Sequence, residues 1–473
     1  MGAASSRAAV GPRELAADDP AAEAYAWRRG KLPALHDAAR QGDARAVAKL
    51  LRGGTPAGRA SDQGDTALHW AAVGGHVAVV EALFATGADG TAACVWTETK
   101  TGWRPLHWAA HGGQVAAIRV LLGAGVDVHA KTSDGSTALH KAGRNGRAEA
   151  VDALLAAGAD VHAKSNDGRT ALHGAGGNGR AEAIDALLAA GADMQAKTKD
   201  GGAALHRASE CGRAEAVDAL LAAGADVHAK TKDGSTALHG VGGSGRAEAV
   251  DALLEAGADV HAKTEYGCTA LHAAGSSGWA EAVYALLAAG ADVYAKTKDV
   301  GTALHEAALS GWAEVVDAVL AAGADLHTKT KNGWTALHWA SSSGRVETVD
   351  ALLAAGADVH ARTNDGSTAL HQEVKRGNAA AVESLAASGA DVSATDQDGW
   401  TALHFAVSRG YTSIVTALLG LGADATPVCC AGETPLCIAV ALGHREIMDL
   451  LPPTHPANAV SPTGKTGRKT GIS

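Results

Sequence analysis

A short phrase that ends in Leu-His returns along this chain at a nearly fixed interval. Its leucine stands at thirteen positions, which are Leu35, Leu68, Leu106, Leu139, Leu172, Leu205, Leu238, Leu271, Leu304, Leu337, Leu370, Leu403 and Leu436. From His107 to Cys437 there are ten intervals of 33 residues without insertion or deletion, and only the interval from His69 to His107 is longer, at 38 residues. A fixed period of 33 residues is typical of an array of small identical units and not of a globular enzyme.

Residues 134–166 show what one unit contains. An Asp-Gly turn comes first, and Thr137 follows at the N-cap position of a short helix that Gly146 ends. A second helix has apolar residues on one face and acidic residues on the other, and Gly158 closes it. Because neither helix can bury its apolar face alone, neighbouring units must stack to form a core. Each unit is therefore predicted to be a helix, a turn, a second helix and an extended hairpin-like loop.

The opening and the ending of the unit carry a recognisable pattern. Units open with DGSTALH, DGRTALH or NGWTALH, and five of them end with LLAAGAD. In both features the unit resembles an ankyrin repeat, and the resemblance covers residues 32–451. It implies an all-α repeat solenoid, in which helix-turn-helix-hairpin repeats stack into an elongated, curved array. It also implies that hairpins and first helices line a concave groove, and that the chain binds proteins.

The array divides the chain into three segments. Residues 1–31 form an N-terminal segment, and residues 32–451 form the repeat array, whose first and last repeats are expected to act as caps. Residues 452–473 are expected to be a disordered basic tail, since Pro452 and Pro453 cannot continue a helix.

Composition limits the functions that this chain could have. The net charge of −10 and the isoelectric point near 6.1 argue against nucleic acid as a main partner. The six cysteines have neither a disulfide-framework spacing nor a metal-ligand spacing, which favours a reducing cytoplasmic location. No stretch reaches the roughly 20 apolar residues of a membrane helix, and the first 30 residues lack a secretory signal.

The repeated histidines, which we call the slot histidines, could suggest catalysis or metal binding. A catalytic group is singular, whereas a residue repeated at one position serves the scaffold. The family resemblance likewise implies that these histidines hydrogen-bond within the turn and to the next repeat. A second histidine series, from His129 to His360, and a basic series, from Lys131 to Arg362, are interpreted as surface loop residues. We therefore expect no catalytic residue, no metal and no cofactor.

Large aromatic residues occupy two variable positions of the repeat. Slot 1 is the residue directly before the N-cap position, and slot 2 is the residue directly after the slot histidine. These slots hold Trp103 and Trp108, Trp334 and Trp339, and Trp400 and Phe405, while Trp70 stands in slot 2 of its repeat and Trp96 lies in the enlarged hairpin before Trp103. Aromatic anchors of this kind are typical of protein interfaces, so these eight residues are the predicted partner-binding site. The alternatives are that the rings only fill space between repeats and that the hairpin is a neutral expansion.

Trp279 and Trp312, at the start of second helices, are interpreted as packing residues.

Two first helices are rich in glycine, with GAGGNG at 174–179 and GVGGSG at 240–245. Each interior glycine costs about 1 kcal/mol relative to alanine. Hydrogen exchange is therefore predicted to be faster in residues 170–280 than in residues 60–125 or 330–410.

The leading functional hypothesis is a non-enzymatic scaffold or adaptor that binds protein partners through its groove and is itself monomeric. The alternative is a targeting or regulatory subunit of an enzyme complex, peripherally attached to a membrane. Its basis is the start MGAASSR, in which Gly2 and Ser6 match the N-myristoylation pattern. Contact with a membrane is expected only if Gly2 is acylated, and one acyl chain gives only marginal anchoring.

Overall fold

The computed structural model describes residues 34–85 and 96–452, and helices dominate these residues. Within them the helices form thirteen consecutive pairs, one pair for each copy of the Leu-His phrase. They are α1 Ala34–Gln41, α2 Ala44–Arg52, α3 Ala67–Gly74, α4 Val77–Ala85, α5 Pro105–Gly112, α6 Val115–Gly123, α7 Ala138–Arg144, α8 Ala148–Ala156, α9 Ala171–Gly177, α10 Ala181–Ala189, α11 Ala204–Glu210, α12 Ala214–Ala222, α13 Ala237–Ser244, α14 Ala247–Glu255, α15 Ala270–Ser277, α16 Ala280–Ala288, α17 Ala303–Ser310, α18 Ala313–Ala321, α19 Ala336–Ser343, α20 Val346–Ala354, α21 Ala369–Arg376, α22 Ala379–Ala387, α23 Ala402–Arg409, α24 Thr412–Gly420, α25 Pro435–Leu442 and α26 Arg445–Leu450. Over the same residues no strand forms, and one isolated antiparallel bridge joins Thr395 to Thr401.

The helices fall into two compact units. The first unit extends to Gly240 and includes Asp251–Ala258, and the second comprises Val241–Val250 and the chain from Asp259 onward. Inside each unit the first helix of a repeat packs on the first helix of the next repeat, and the second helix packs on the next second helix. The chain is therefore an all-α repeat solenoid, which confirms the predicted fold class.

In the fourth repeat the helix ends are closed by the predicted residues, with one difference in detail. Gly146 and Gly158, which follow α7 and α8, have positive φ angles of 67° and 87°, a region that glycine enters without steric cost. Thr137 is the N-cap of α7 as predicted, but its hydroxyl lies 2.9 Å from Nδ1 of His140. The slot histidine, which is the N3 residue, therefore closes the N-terminus together with the threonine.

The core of each repeat is a thin apolar layer between neighbouring helices. In the fourth repeat, Leu139 and Ala142 of α7 and Val151 and Leu154 of α8 are buried. The small side chains let the first helices of adjacent repeats approach closely. At Gly143, for example, an added Cβ would lie only 2.9 Å from the carbonyl oxygen of Ala171 in the next first helix.

The remaining predictions about chain segments lie outside the described residues. They concern residues 1–33, with the acylation candidate Gly2, and the segments 86–95 and 453–473. No helix of the described part is long and apolar enough to cross a membrane. The last repeat exposes more than half of Val440 and of Leu442.

Candidate functional site

The slot histidines connect each repeat to the next. In the tenth repeat, Nδ1 of His338 accepts a hydrogen bond from the backbone N–H of Thr335 at 3.3 Å. The ring must then carry its proton on Nε2, which donates to the carbonyl oxygen of Ser367 in the next repeat at 3.3 Å. Burial lowers the pKa of His338 to about 4, so the ring is neutral at pH 7. This geometry is that of a structural bridge, and both ring nitrogens are engaged by the backbone.

The same bridge recurs along the array. His69, His140, His173, His206, His305, His371 and His404 each accept at Nδ1 from the N-cap N–H and bond the following repeat through Nε2. His107 accepts in the same way from Arg104, but its Nε2 bonds the carbonyl oxygen of Ala130 in the loop of its own repeat at 3.0 Å. The slot is thus occupied by scaffold contacts in both compact units.

The basic series of the hairpin loops is also engaged by the backbone. The ammonium of Lys131 donates to the carbonyl oxygen of Lys164 at 3.3 Å, and the ammonium of Lys164 donates to that of Lys197 at the same distance. Lys329 likewise donates to the carbonyl oxygen of Arg362 at 3.0 Å. Each of these pairs is 33 residues apart, so the series is a ladder between consecutive loops. The loop histidines, such as His327, have exposed side chains.

Three of the four predicted partner-binding aromatics of the first compact unit are buried. Trp70, Trp103 and Trp108 are 5%, 6% and 3% exposed. The indole N–H of Trp70 donates to the carboxylate of Asp65 at 2.6 Å, and the rings of Trp70 and Trp108 meet edge to face at 5.2 Å. The ammonium of Lys141 lies 4.3 Å from the centre of the Trp103 ring and covers it. These three rings offer a partner less than a tenth of their surface, whereas Trp96 is 46% exposed.

The four predicted aromatics of the second compact unit are more open. Trp334, Trp339, Trp400 and Phe405 are all half-buried. Trp334 meets Trp339 edge to face at 6.3 Å, and Trp400 lies 4.9 Å from Phe405. The two slots of one repeat therefore form a ring pair, as the five-residue spacing suggests. We call these four residues the aromatic face.

Sequence reasoning missed part of the exposed aromatic surface. Trp279 and Trp312, interpreted as packing residues, are each 46% exposed. Each ring lies across a glycine of the preceding repeat, so that a Cβ on Gly245 or on Gly278 would fall within 2.2 Å of ring atoms. Packing therefore accounts for one face of each ring only. Tyr266, Tyr284 and Tyr294 nearby along the chain are 64%, 52% and 59% exposed. The sequence contained a sign of this exposed surface. Most neighbouring repeats have an arginine directly after the glycine that follows the first helix, and Trp279 and Trp312 replace that arginine.

Within residues 34–85 and 96–452 no group of three His, Cys, Asp or Glu side chains is arranged to hold a metal ion. In the same residues the cysteines 211, 268, 429, 430 and 437 are free thiols. Cys94 lies outside the described residues.

Comparison with known protein families agrees with the geometry. A family model described as ankyrin repeats (3 copies) matches seven segments, of which the first six overlap in succession: 35–132, 93–165, 117–198, 139–231, 205–297, 281–363 and 370–460. The chain belongs to the ankyrin repeat family. No curated protein matches the sequence.

Membership of the ankyrin repeat family explains why some side chains are repeated and others vary. Ankyrin repeats are general protein-interaction modules. In this ankyrin repeat protein the repeated positions, such as the slot histidine and the loop lysine, are engaged in bridging consecutive repeats. Slots 1 and 2 vary from repeat to repeat and are the positions that can distinguish one region of the array from another.

Proposed function

We propose that this protein is a non-enzymatic scaffold or adaptor of the cytoplasm that holds protein partners against its first helices and hairpin loops. The observation that supports this most directly is the aromatic face, Trp334, Trp339, Trp400 and Phe405. Its rings stand on variable positions of the array and keep part of their surface open to solvent. Half-buried tryptophans supply large contact area at small entropic cost, which is why they recur as anchors of protein interfaces.

The eight predicted partner-binding residues contribute in two ways under this proposal. The aromatic face and the exposed Trp96 would contact the partner directly. Trp70, Trp103 and Trp108 would shape the surface from beneath, because Lys141 and the neighbouring rings cover them.

The test is affinity capture from cell lysate with three full-length baits. One bait is the native chain, one carries Trp334→Ala, Trp339→Ala and Trp400→Ala, and the control carries Trp279→Ala and Trp312→Ala. The control removes indoles that are also partly exposed but lie outside slots 1 and 2. Partners kept by the native and control baits and lost by the triple variant support the proposal, provided that circular dichroism shows equal helix content. Partners retained by the triple variant would contradict it.

The second candidate function is a membrane-tethered targeting or regulatory subunit of an enzyme complex. It is supported by Gly2 and Ser6 alone, both outside the described residues. Mass spectrometry of the N-terminal peptide from the natural source tests it, because an unmodified Gly2 removes its basis. Light scattering on the purified protein tests the proposed monomeric state.

A further inference from the structure

The sixth repeat lacks a side chain at the position where three other repeats carry tryptophan. Slot 1 holds Trp103, Trp334 and Trp400 in the third, tenth and twelfth repeats, and it holds Gly202 in the sixth. A depression of about 100 Å³ opens at this point of the first compact unit. Its lining includes Arg169 of the fifth repeat and Ala203, Arg207 and Glu210 of the sixth. We call it the Gly202 pocket.

The backbone does not require glycine at this position. A Cβ added to Gly202 would meet Oγ1 of Thr198 at 3.5 Å, Cβ of His206 at 3.8 Å and Cγ2 of Thr231 at 3.9 Å. These are ordinary van der Waals distances, and the residue does not have the positive φ that excludes other side chains. The space is therefore open because a side chain is missing, and a ring that entered it would meet no backbone clash at its base.

The other repeats show what would surround such a ring. Trp334 lies 6.3 Å from Trp339, and the residue equivalent to Trp339 in the sixth repeat is Arg207. The ring of Trp103 lies 5.8 Å from that of His111, whose equivalent is Glu210. A ring in the Gly202 pocket would thus have the Arg207 side chain, which lines the pocket, beside it. A guanidinium within about 6 Å of an aromatic ring makes a cation–π contact.

The charged and hydrogen-bonding groups around the pocket further limit which side chains could occupy it. Arg207 is held by Glu210 at 3.3 Å and is 28% exposed, and Arg169 is held by Asp167 at 2.9 Å. Planar guanidinium groups stack on aromatic faces, and the carboxylates beside them accept hydrogen bonds from an indole N–H or a phenol O–H. The chain contains a precedent for the second contact, because the indole of Trp70 donates to Asp65 at 2.6 Å.

We propose that the Gly202 pocket takes one aromatic side chain, a tryptophan or a tyrosine, from an extended segment of a protein partner. In the tenth and twelfth repeats, Trp334 and Trp400 of the chain itself fill slot 1. In the sixth repeat a ring of the partner would take this place. This inference rests on the proposed scaffold function and adds to it a site and a residue preference, in the compact unit that does not hold the aromatic face.

The experiment uses a displayed library of random 12-residue peptides, selected on the full-length native chain. The binding of the enriched peptides is then measured on Gly202→Trp, which fills the pocket with the residue of the other repeats. The matched control is Cys268→Trp, the same substitution in slot 1 of the eighth repeat. A third variant, Arg207→Gln, removes the cation and leaves the space open. Circular dichroism and thermal unfolding verify that each variant is folded.

We expect one class of peptides to share a tryptophan or tyrosine and to bind Gly202→Trp about tenfold or more weaker than the native chain. The Cys268→Trp control should bind this class normally, and Arg207→Gln should bind it a few-fold weaker, as for a lost cation–π contact. Replacing the shared aromatic by alanine should weaken binding to the native chain but not further weaken binding to Gly202→Trp, because both changes remove the same contact.

Two results would overturn the inference. One is that selected peptides share no aromatic residue. The other is that their affinity is unchanged in Gly202→Trp while it falls in the triple variant of the aromatic face. The second result would leave the proposed scaffold function intact, so the two failures are distinguishable.

Discussion

The slot histidines are expected to make the protein less stable in acid. Burial lowers the pKa of His69, His173, His305, His338 and His371 to about 4 and that of His107 to about 3. In the unfolded chain a histidine titrates near 6.5. Between pH 6.5 and 4 the unfolded state therefore binds more protons than the folded state, so the free energy of unfolding falls as the pH falls. Each histidine contributes a slope of up to about 1.4 kcal/mol per pH unit in this window.

We expect the midpoint of urea-induced unfolding to fall steeply from pH 6.5 to pH 4.5 and to be nearly constant from pH 6.5 to pH 7.5. The variant His327→Asn, which changes an exposed loop histidine, should retain the acid loss. A midpoint that stays constant down to pH 4.5 would show that the slot histidines bind protons as readily in the folded state as in the unfolded chain. This result would contradict their lowered pKa values.

One buried carboxyl group should change the free energy of unfolding with pH in the opposite direction to the slot histidines. Glu373 of α21 is fully buried, in a core position that holds Ala340 and Ala406 in the flanking repeats. Both of its carboxyl oxygens lack a hydrogen-bond partner within the described part of the chain. Burial raises the pKa of Glu373 to about 8, although the nearby Ser341 hydroxyl and the charge of Arg376 oppose the rise. The raised pKa means that this group costs stability increasingly as the pH rises from about 4.5 towards 8.

The variant Glu373→Ala is therefore expected to be more stable than the native chain, by on the order of 2 kcal/mol at pH 8 and by less at pH 5. Urea unfolding at both pH values measures the difference. Glu347→Ala on α20, where the side chain is exposed, is the matched control and should change stability by less than about 0.5 kcal/mol. Equal effects of Glu373→Ala at pH 5 and pH 8 would contradict the assigned pKa shift.

At the scale of the helix, the first helices of the repeats contain two different kinds of glycine. A Cβ on Gly143 of α7 would lie 2.9 Å from the carbonyl oxygen of Ala171, so this glycine permits close approach of the next helix. A Cβ on Gly174 of α9 would meet only Arg144, at 3.4 Å or more. The sequence showed that both helices contain glycine, but only the contacts distinguish a glycine that packs from one that merely weakens the helix.

Two alanine variants separate these roles. Gly174→Ala should stabilise the protein by up to about 1 kcal/mol, because alanine is the better helix former. Gly143→Ala should destabilise it by about 1 kcal/mol or more, because the added methyl meets backbone that cannot move alone. Thermal unfolding of the two variants beside the native chain measures both signs, and stabilisation by both would contradict the packing role of Gly143. Faster hydrogen exchange over residues 170–280 stays a prediction.

At the scale of the whole molecule, the sequence predicted most of the fold because one interval repeats. The 33-residue period placed every first helix within the described residues, and the DGSTALH motif identified the family. Which aromatics are open to solvent could not be read from the same pattern. Trp103 is covered because Lys141 stands in slot 2 of the following repeat, whereas Trp334 and Trp400 remain half-buried. Exposure at one slot depends on the side chain of the neighbouring repeat, which a motif taken repeat by repeat does not include.

The dependence on neighbours alone predicts how the array responds to deletion. Removing residues 171–203, one full period, joins Thr170 to Ala204 and restores the sequence TALH at the junction. This deletion removes both helices of the fifth repeat, α9 and α10, and brings the sixth repeat onto the fourth. Since each repeat contacts only its neighbours, the lost contacts are replaced by equivalent ones, and the chain should fold with unchanged helix content per residue. Removing residues 171–186, about half a period, joins Thr170 to Leu187 and places a second-helix sequence against a first-helix surface. Far-ultraviolet circular dichroism and thermal unfolding should show a cooperative transition for the full-period deletion and a loss of helix for the half-period deletion. Equal damage by both would mean that stability depends on contacts beyond adjacent repeats.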